Sequence, residues 1–167
     1  HLVFTQLSRY VTVCGAPLVP HTRVRNVTFT GSVETGKIVA RAAADKLIPV
    51  TLELGGKSPM IVFADCDFDK TVSGALTSMR FTRQGQSCTA ASRIYVERPI
   101  FDRFVAAMKD AVNGMVMGDP LDEKTDIGTI VSEGQLEKVR GFIAEGTATP
   151  GATAHVCSAM PTDPALK

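Results

Sequence analysis

Tryptophan is missing from this 167-residue chain, and cysteine, histidine and tyrosine are scarce. Cys14, Cys66, Cys88 and Cys157 form no CxxC pair, and His1, His21 and His155 complete no ligand spacing. Neither a metal site nor a disulfide framework is therefore expected. Charge of one sign is also lacking: 18 basic residues against 17 acidic ones leave a formal +1, with no basic block to follow a phosphate backbone, which argues against nucleic acid as a partner. No apolar run reaches membrane-spanning length. The mildly apolar start, Leu2 to Leu7, is broken by Thr5 and Gln6 and followed by Ser8 and Arg9 before it attains signal-peptide length. These absences predict a soluble, cytoplasmic protein with no membrane partner. Position 1 is not methionine and the C-terminal run is rich in Pro, Ala and Thr, which together suggest a piece excised from a longer product. What is present suits a globular fold: 44% hydrophobic and 21% charged residues are enough to bury a core.

Hydrophobic period and punctuation predict alternating strands and helices. Tyr10 to Cys14 and Val27 to Thr30 are short, partly β-branched runs that read as strands, the second ending at Gly31, where the backbone can turn tightly. From Glu34 to Lys46, Ile38, Ala42 and Ala43 recur at helical spacing, and Pro49 stops that helix before a strand at Val50 to Leu54. Beyond Gly55-Gly56, Met60 to Phe63 reads as a strand. Asp67 then caps a helix with Val72, Ala75, Leu76 and Met79 on one face, expected to end near Gly85. Ser92 to Glu97 is a strand, and Pro99 opens a helix whose buried face holds Phe101, Phe104, Val105, Met108 and Val112 and which Gly114 stops. Phe101 and Phe104, one turn apart among apolar residues, read as core rather than a base-stacking platform. Ser132 and Gln135 fit a capping box for a helix through Glu145 that ends at Gly146. The alternation predicts an α/β fold.

Three segments carry chemistry. Gly31-Ser32-Val33-Glu34-Thr35-Gly36-Lys37 lies between a strand and a helix and matches the phosphate-binding pattern GxxxxGK. Ile38 stands where that pattern needs a hydroxyl for magnesium, which weakens a P-loop reading without removing it. A plain strand-to-helix turn is the bland alternative. Glu53, in Thr51-Leu52-Glu53-Leu54-Gly55-Gly56-Lys57-Ser58-Pro59, is either a solvated charge on the polar side of a strand or a carboxylate presented as a general base beside a glycine break. Cys88, in Gln84-Gly85-Gln86-Ser87-Cys88, is either a small buried hydrophobe or a sulfur nucleophile on a glycine-adjacent turn. Lys57 reads as a solvated lysine as readily as a neighbour tuning Glu53, and His21 as a surface or capping histidine.

Taken with Phe29-Thr30-Gly31-Ser32, Ile100-Phe101-Asp102-Arg103-Phe104 and Gly118-Asp119-Pro120, these segments closely resemble the aldehyde dehydrogenase superfamily over roughly residues 18 to 146. The resemblance implies part of a Rossmann-like coenzyme domain over residues 1–54, followed by the start of an α/β catalytic domain over residues 55–167, with the active site in the cleft between such domains. It implies NAD or NADP as coenzyme. Gly31, Ser32 and Gly36 would lie near the pyrophosphate, and Leu54 and Gly55 near the nicotinamide. Cys88 becomes the nucleophile, forming a thiohemiacetal and then a thioester with an aldehyde, and Glu53 the base that activates water to release a carboxylic acid. Cys14, Cys66 and Cys157 match no catalytic pattern and default to packing.

The same likeness implies a homo-oligomeric parent. It also makes the missing tryptophan informative, because the family's oxyanion-hole asparagine sits in a Pro-Trp-Asn segment that this chain lacks. A Glu-Ile-Phe-Gly-Pro segment that contacts the coenzyme ribose in the family is absent too, and the connection from Gly15 to His21 is short. The 167 residues alone are accordingly expected to be inactive. A noncatalytic scaffold or assembly element is the alternative from another class, and the P-loop nucleotide-binding domain is the third.

Overall fold

The structure is a computed structural model that describes the backbone of residues 11–156 and the side chains of residues 15–156. Cys157, His1, the Leu2 to Leu7 stretch and the side chain of Cys14 lie outside the described residues. The chain divides into two compact units between Gly56 and Lys57. Each contains a strand, a helix and a parallel strand, the βαβ unit of α/β proteins.

In the first unit, β1 (Val27–Gly31) and β2 (Val50–Leu54) pair in parallel, with Val27 opposite Val50 and Gly31 opposite Leu54. The connecting helix, α2 (Val33–Ala44), buries Gly36, Val39 and Ala43, a face of i, i+3 and i+7. Glu34 in its first turn and Arg41 in its last complement the helix dipole. Ile38, expected on the inner face, is 62% exposed. With Val39 and Ala43 inward, the 100° step per residue carries Ile38 off their stripe. A second correction concerns the start of the chain. The described part of the Tyr10 to Cys14 run is helical and belongs to α1 (Val11–Leu18), while Tyr10 is outside the described residues. So short a run carries too little periodicity to separate strand from helix, and β-branched propensity yields to context.

In the second unit, β3 (Ser58–Val62) pairs in parallel with β4 (Ala91–Val96), and the register shifts between Ser58 and Pro59. Proline brings no N–H to a ladder, so an irregularity is where a strand tolerates it. Helix α3 (Phe68–Ser78) joins the two strands; Asp67 caps it, accepting from the Lys70 N–H at 3.3 Å and pairing with Lys70 Nζ at 2.7 Å. These Lys70 contacts hold the exposed Asp67 carboxyl below its ordinary range. The helix ends well before Gly85, because Arg80 turns left-handed (φ 59°) into a 3-10 turn at Phe81–Arg83. A further 3-10 turn with Pro99, Arg98–Ile100, leads into α4 (Phe101–Asn113), and α5 (Glu133–Ala148) begins at Ser132, whose Oγ accepts from the Gln135 N–H at 3.3 Å. Helix α5 runs past Gly146, where a stop was expected.

The second unit's core is Val62, Ala75, Phe104 and Met108, with Cys66, Phe68, Val72 and Ile94 packed around it. Phe68 meets Phe104 edge to face at 6.3 Å, and the Arg103 guanidinium lies over the Phe68 ring, 3.7 Å from its centre. Phe104 is 2% exposed, and burying such a ring contributes about 1.5–3 kcal/mol relative to leaving it in water. Phe101, expected beside it, is 39% exposed at the helix start.

Candidate active site

In a parallel pair joined by a helix, the carboxyl ends of the strands and the helix N-terminus lie at one edge, where α/β proteins place ligands. Gly31, Ser32, Glu53 and Leu54 all fall at that edge of the first unit. Ser32 is the cap of α2: its Oγ accepts from the Thr35 N–H at 3.2 Å and donates to Thr35 Oγ1 at 3.2 Å, while its carbonyl accepts from the Gly36 N–H at 2.9 Å. Gly31 and Gly36 have packing reasons to be glycine. A Cβ at Gly31 would lie 2.5 Å from the tip of the Phe29 ring, and one at Gly36 would lie 2.7 Å from a Leu54 methyl. Gly36 is therefore the point where α2 settles on β2.

Glu53 stands opposite Thr30 in the ladder, so both belong to the exposed polar face, with Leu52 and Leu54 on the other. Gly55 and Gly56 differ from Gly31 and Gly36. Neither has a left-handed φ, and a Cβ on either would meet nothing within 4 Å. Neither backbone geometry nor packing among the described residues requires a glycine there.

Cys88 belongs to the second unit and is exposed on the turn between α3 and β4. That turn is built from two consecutive left-handed residues, Gln84 (φ 53°) and Gly85 (φ 69°), and is closed by the Gly85 N–H on Arg80 O at 2.9 Å. A left-handed glutamine is uncommon, and such conformations gather where a side chain must be aimed. Next comes a tighter turn in which the Ala90 N–H reaches Ser87 O at 3.2 Å and the Thr89 N–H reaches Ser87 Oγ at 3.3 Å. Cys88 is its first corner, and its own N–H takes part in none of these bonds. An exposed thiol thus sits beside an available backbone donor, the pair needed to attack a carbonyl and receive the resulting oxyanion. Cys66, by contrast, is half-buried against the core.

The family model for the aldehyde dehydrogenase family matches residues 2–160. This chain belongs to the aldehyde dehydrogenase family. It is 47% identical over 134 residues to a betaine aldehyde dehydrogenase of Sinorhizobium fredii, covering 80% of this chain and 27% of that protein. It is 43% identical over 151 residues to a 2-hydroxymuconic semialdehyde dehydrogenase of a Pseudomonas species, covering 90% of this chain and 31% of that one. Among solved structures, betaine aldehyde dehydrogenase of Staphylococcus aureus in complex with NAD+ aligns with a TM-score of 0.81 at 37% identity, over 88% of this chain and 29% of that one. An NAD+ complex of a Bacillus cereus aldehyde dehydrogenase aligns with a TM-score of 0.79 at 36% identity, over 83% and 28%. The chain therefore spans between a quarter and a third of the length of these relatives.

Membership in this family accords with how the GxxxxGK segment folds. A phosphate-cradling loop needs its residues outside the helix, yet α2 begins at Val33, so Gly36 and Lys37 are already helical and Ser32 alone separates strand from helix. The P-loop reading is corrected on that ground. Among the described residues no group of three or more His, Cys, Asp or Glu gathers as a metal site. A groove of about 380 Å³ over β4 and α4 is lined by apolar residues such as Met79, Ile94 and Phe104 and contains neither Glu53 nor Cys88.

Two residues of the segment leading to Cys88 bond a distant part of the second unit. Gln86 Oε1 accepts from the Val131 N–H at 3.2 Å, and the Gln84 amide, with its oxygen set toward Gly128, accepts from the Gly128 N–H at 3.0 Å and donates to Thr129 O at 3.2 Å. Side-chain amides on the turn thus bond the backbone of residues 128–131, more than forty positions away in sequence. Only their place in a glycine-flanked motif hinted at it. Gln86→Ala is expected to speed amide exchange at Val131 by about tenfold, the equivalent of one lost hydrogen bond, with the core of the second unit still protected. Unchanged exchange at Val131 would show that the bond does not hold that segment.

Proposed function

We propose that this chain supplies the nucleophile, the general base and one side of the coenzyme site of an NAD(P)-dependent aldehyde dehydrogenase. The observation that carries the reading is Cys88: an exposed cysteine on the tight turn that follows two left-handed residues, next to its own N–H, which none of the turn's hydrogen bonds uses, in a chain of this family. In this reading the first unit is the C-terminal part of the coenzyme-binding domain and the second the N-terminal part of the catalytic domain. The residues at the first unit's edge fit a dinucleotide. Gly31, Ser32 and the start of α2 would face the pyrophosphate, and Leu54 and Gly55 the nicotinamide, where the bare backbone at Gly55 leaves room; Gly36, expected beside the pyrophosphate, is instead buried in α2 against Leu54 and acts through packing.

The Cys88 thiolate attacks the aldehyde carbon, and the Cys88 N–H donates to the oxyanion as the thiohemiacetal forms. When bound, NAD or NADP supplies the hydride acceptor that converts the thiohemiacetal to a thioester. Glu53 takes a proton from the water that attacks that thioester, freeing the acid and restoring the thiol. The substrate is proposed as a class, an aldehyde, because relatives named for betaine aldehyde and for 2-hydroxymuconic semialdehyde match at similar identity. A cytoplasmic homo-oligomer is part of the same proposal, supported by family likeness; no described helix is long and apolar enough to cross a membrane. The test is a full-length enzyme carrying this segment, assayed with an aldehyde panel and both coenzymes. One reduced coenzyme per acid formed is expected. No coenzyme reduction with any aldehyde, in a folded protein that still matches the family, would favour a noncatalytic scaffold.

A further inference from the structure

At the end of the first unit opposite Ser32 and Glu53, the ammonium of Lys46 is held by three main-chain carbonyls: Val19 O at 3.2 Å, His21 O at 2.5 Å and Val24 O at 3.0 Å. The three come from one short connection, the one that links α1 to β1. A lysine ammonium has three N–H donors, and all three are used. No carboxylate pairs with it among the described ion pairs, so carbonyl dipoles rather than an anion balance the charge. Lys46 also lies just past the C-terminus of α2, where the helix dipole favours a cation, and the chain turns left-handed at Leu47 (φ 55°) to leave the helix. Its two bonds to Val19 and Val24 are partly buried, where charge-assisted hydrogen bonds are stronger than at an open surface.

We infer that residues 19–24 form a cation site of three converging carbonyls, with a preference for ammonium-type ions, that this chain fills with its own lysine. Carbonyl rings hold cations by replacing their hydration shell. Three acceptors arranged around one nitrogen match the three donors of a primary ammonium and leave a bare alkali ion mostly hydrated. The consequence is local and mechanical. The filled site ties the connection entering β1 to the connection entering β2, at the same end where the Val27 N–H donates to Pro49 O at 3.1 Å. Lys46 thereby sets where both strands begin. This inference stands on the geometry of the first unit and is independent of the proposed enzymatic reading.

The test compares Lys46→Ala, which empties the site, with Lys46→Met, which keeps an apolar stem in it, in the 167-residue chain. Thermal midpoints and amide exchange over residues 21–27 are measured in ammonium, methylammonium, potassium and tetramethylammonium chloride at equal ionic strength. Both variants should lose roughly 5 °C in tetramethylammonium. Ammonium and methylammonium should restore Lys46→Ala by more than half of that loss and slow its exchange, potassium less so, while Lys46→Met and the wild type should be indifferent to the salt. Should Lys46→Ala fold poorly without ammonium, the same selectivity is read as folding yield, with Lys46→Arg, which keeps the donors, folding in every salt. Equal stability of Lys46→Ala and wild type, or recovery that is the same in all four salts, overturns the proposal.

Discussion

Replacing Cys88 by alanine in a full-length enzyme carrying this segment is expected to lower aldehyde oxidation by at least about 10⁴-fold, because alanine has no atom with which to form the covalent thiohemiacetal. The fold should survive. Cys88 is exposed, and none of the hydrogen bonds that shape its turn passes through its side chain. Cys66→Ala is the informative control. That thiol is half-buried among the residues around Val62 and Phe104, so its loss should lower the thermal midpoint slightly and leave turnover near normal. Cys157→Ala should likewise retain turnover. Steady-state rates, taken with thermal melts to establish folding, separate these cases; near-normal oxidation by folded Cys88→Ala enzyme would remove the nucleophile assignment.

Glu53→Gln should slow the release of acid by roughly 10²- to 10⁴-fold while coenzyme binding changes little. The amide keeps the shape of the carboxylate but cannot accept the proton from water, so the reaction is expected to stop at the thioester. Position 53 lies on the exposed face of β2 opposite Thr30, and no described hydrogen bond or ion pair of the fold uses the Glu53 side chain. The substitution therefore tests chemistry rather than stability. Mass spectrometry of enzyme mixed with aldehyde and coenzyme should find the peptide containing Cys88 heavier by the acyl group. Unchanged turnover, with no acylated peptide, would assign the base to another residue.

If both results hold, the two units divide the labour, with the nucleophile on one and the base on the other. The glycines can then be sorted by cause. Gly31 and Gly36 are small because Phe29 and Leu54 pack there, and Gly85 because its φ is left-handed, whereas Gly55 and Gly56 are constrained by neither.

What the amino-acid order determined by itself was local. Ser32, Asp67 and Ser132 each cap the helix that follows, since a side-chain oxygen next to free N–H groups needs no distant partner. Alternation along Val50 to Leu54 sets Glu53 apart from Leu52 and Leu54, because a strand has period two. The motif around Cys88 was legible as chemistry for the same reason: its residue types lie within one turn. Tertiary structure decided the rest. The run from Val11 is helical despite its β-branched residues, Ile38 faces outward, and α3 stops at Ser78, all outcomes of packing and backbone turns that no short window contains. The bonds from Gln84 and Gln86 to residues 128–131, and the three carbonyls around Lys46, join positions 22 to 45 residues apart. Such contacts exist only once the chain has folded back on itself, because their energy comes from bringing donors and acceptors together across a distance that sequence order does not encode.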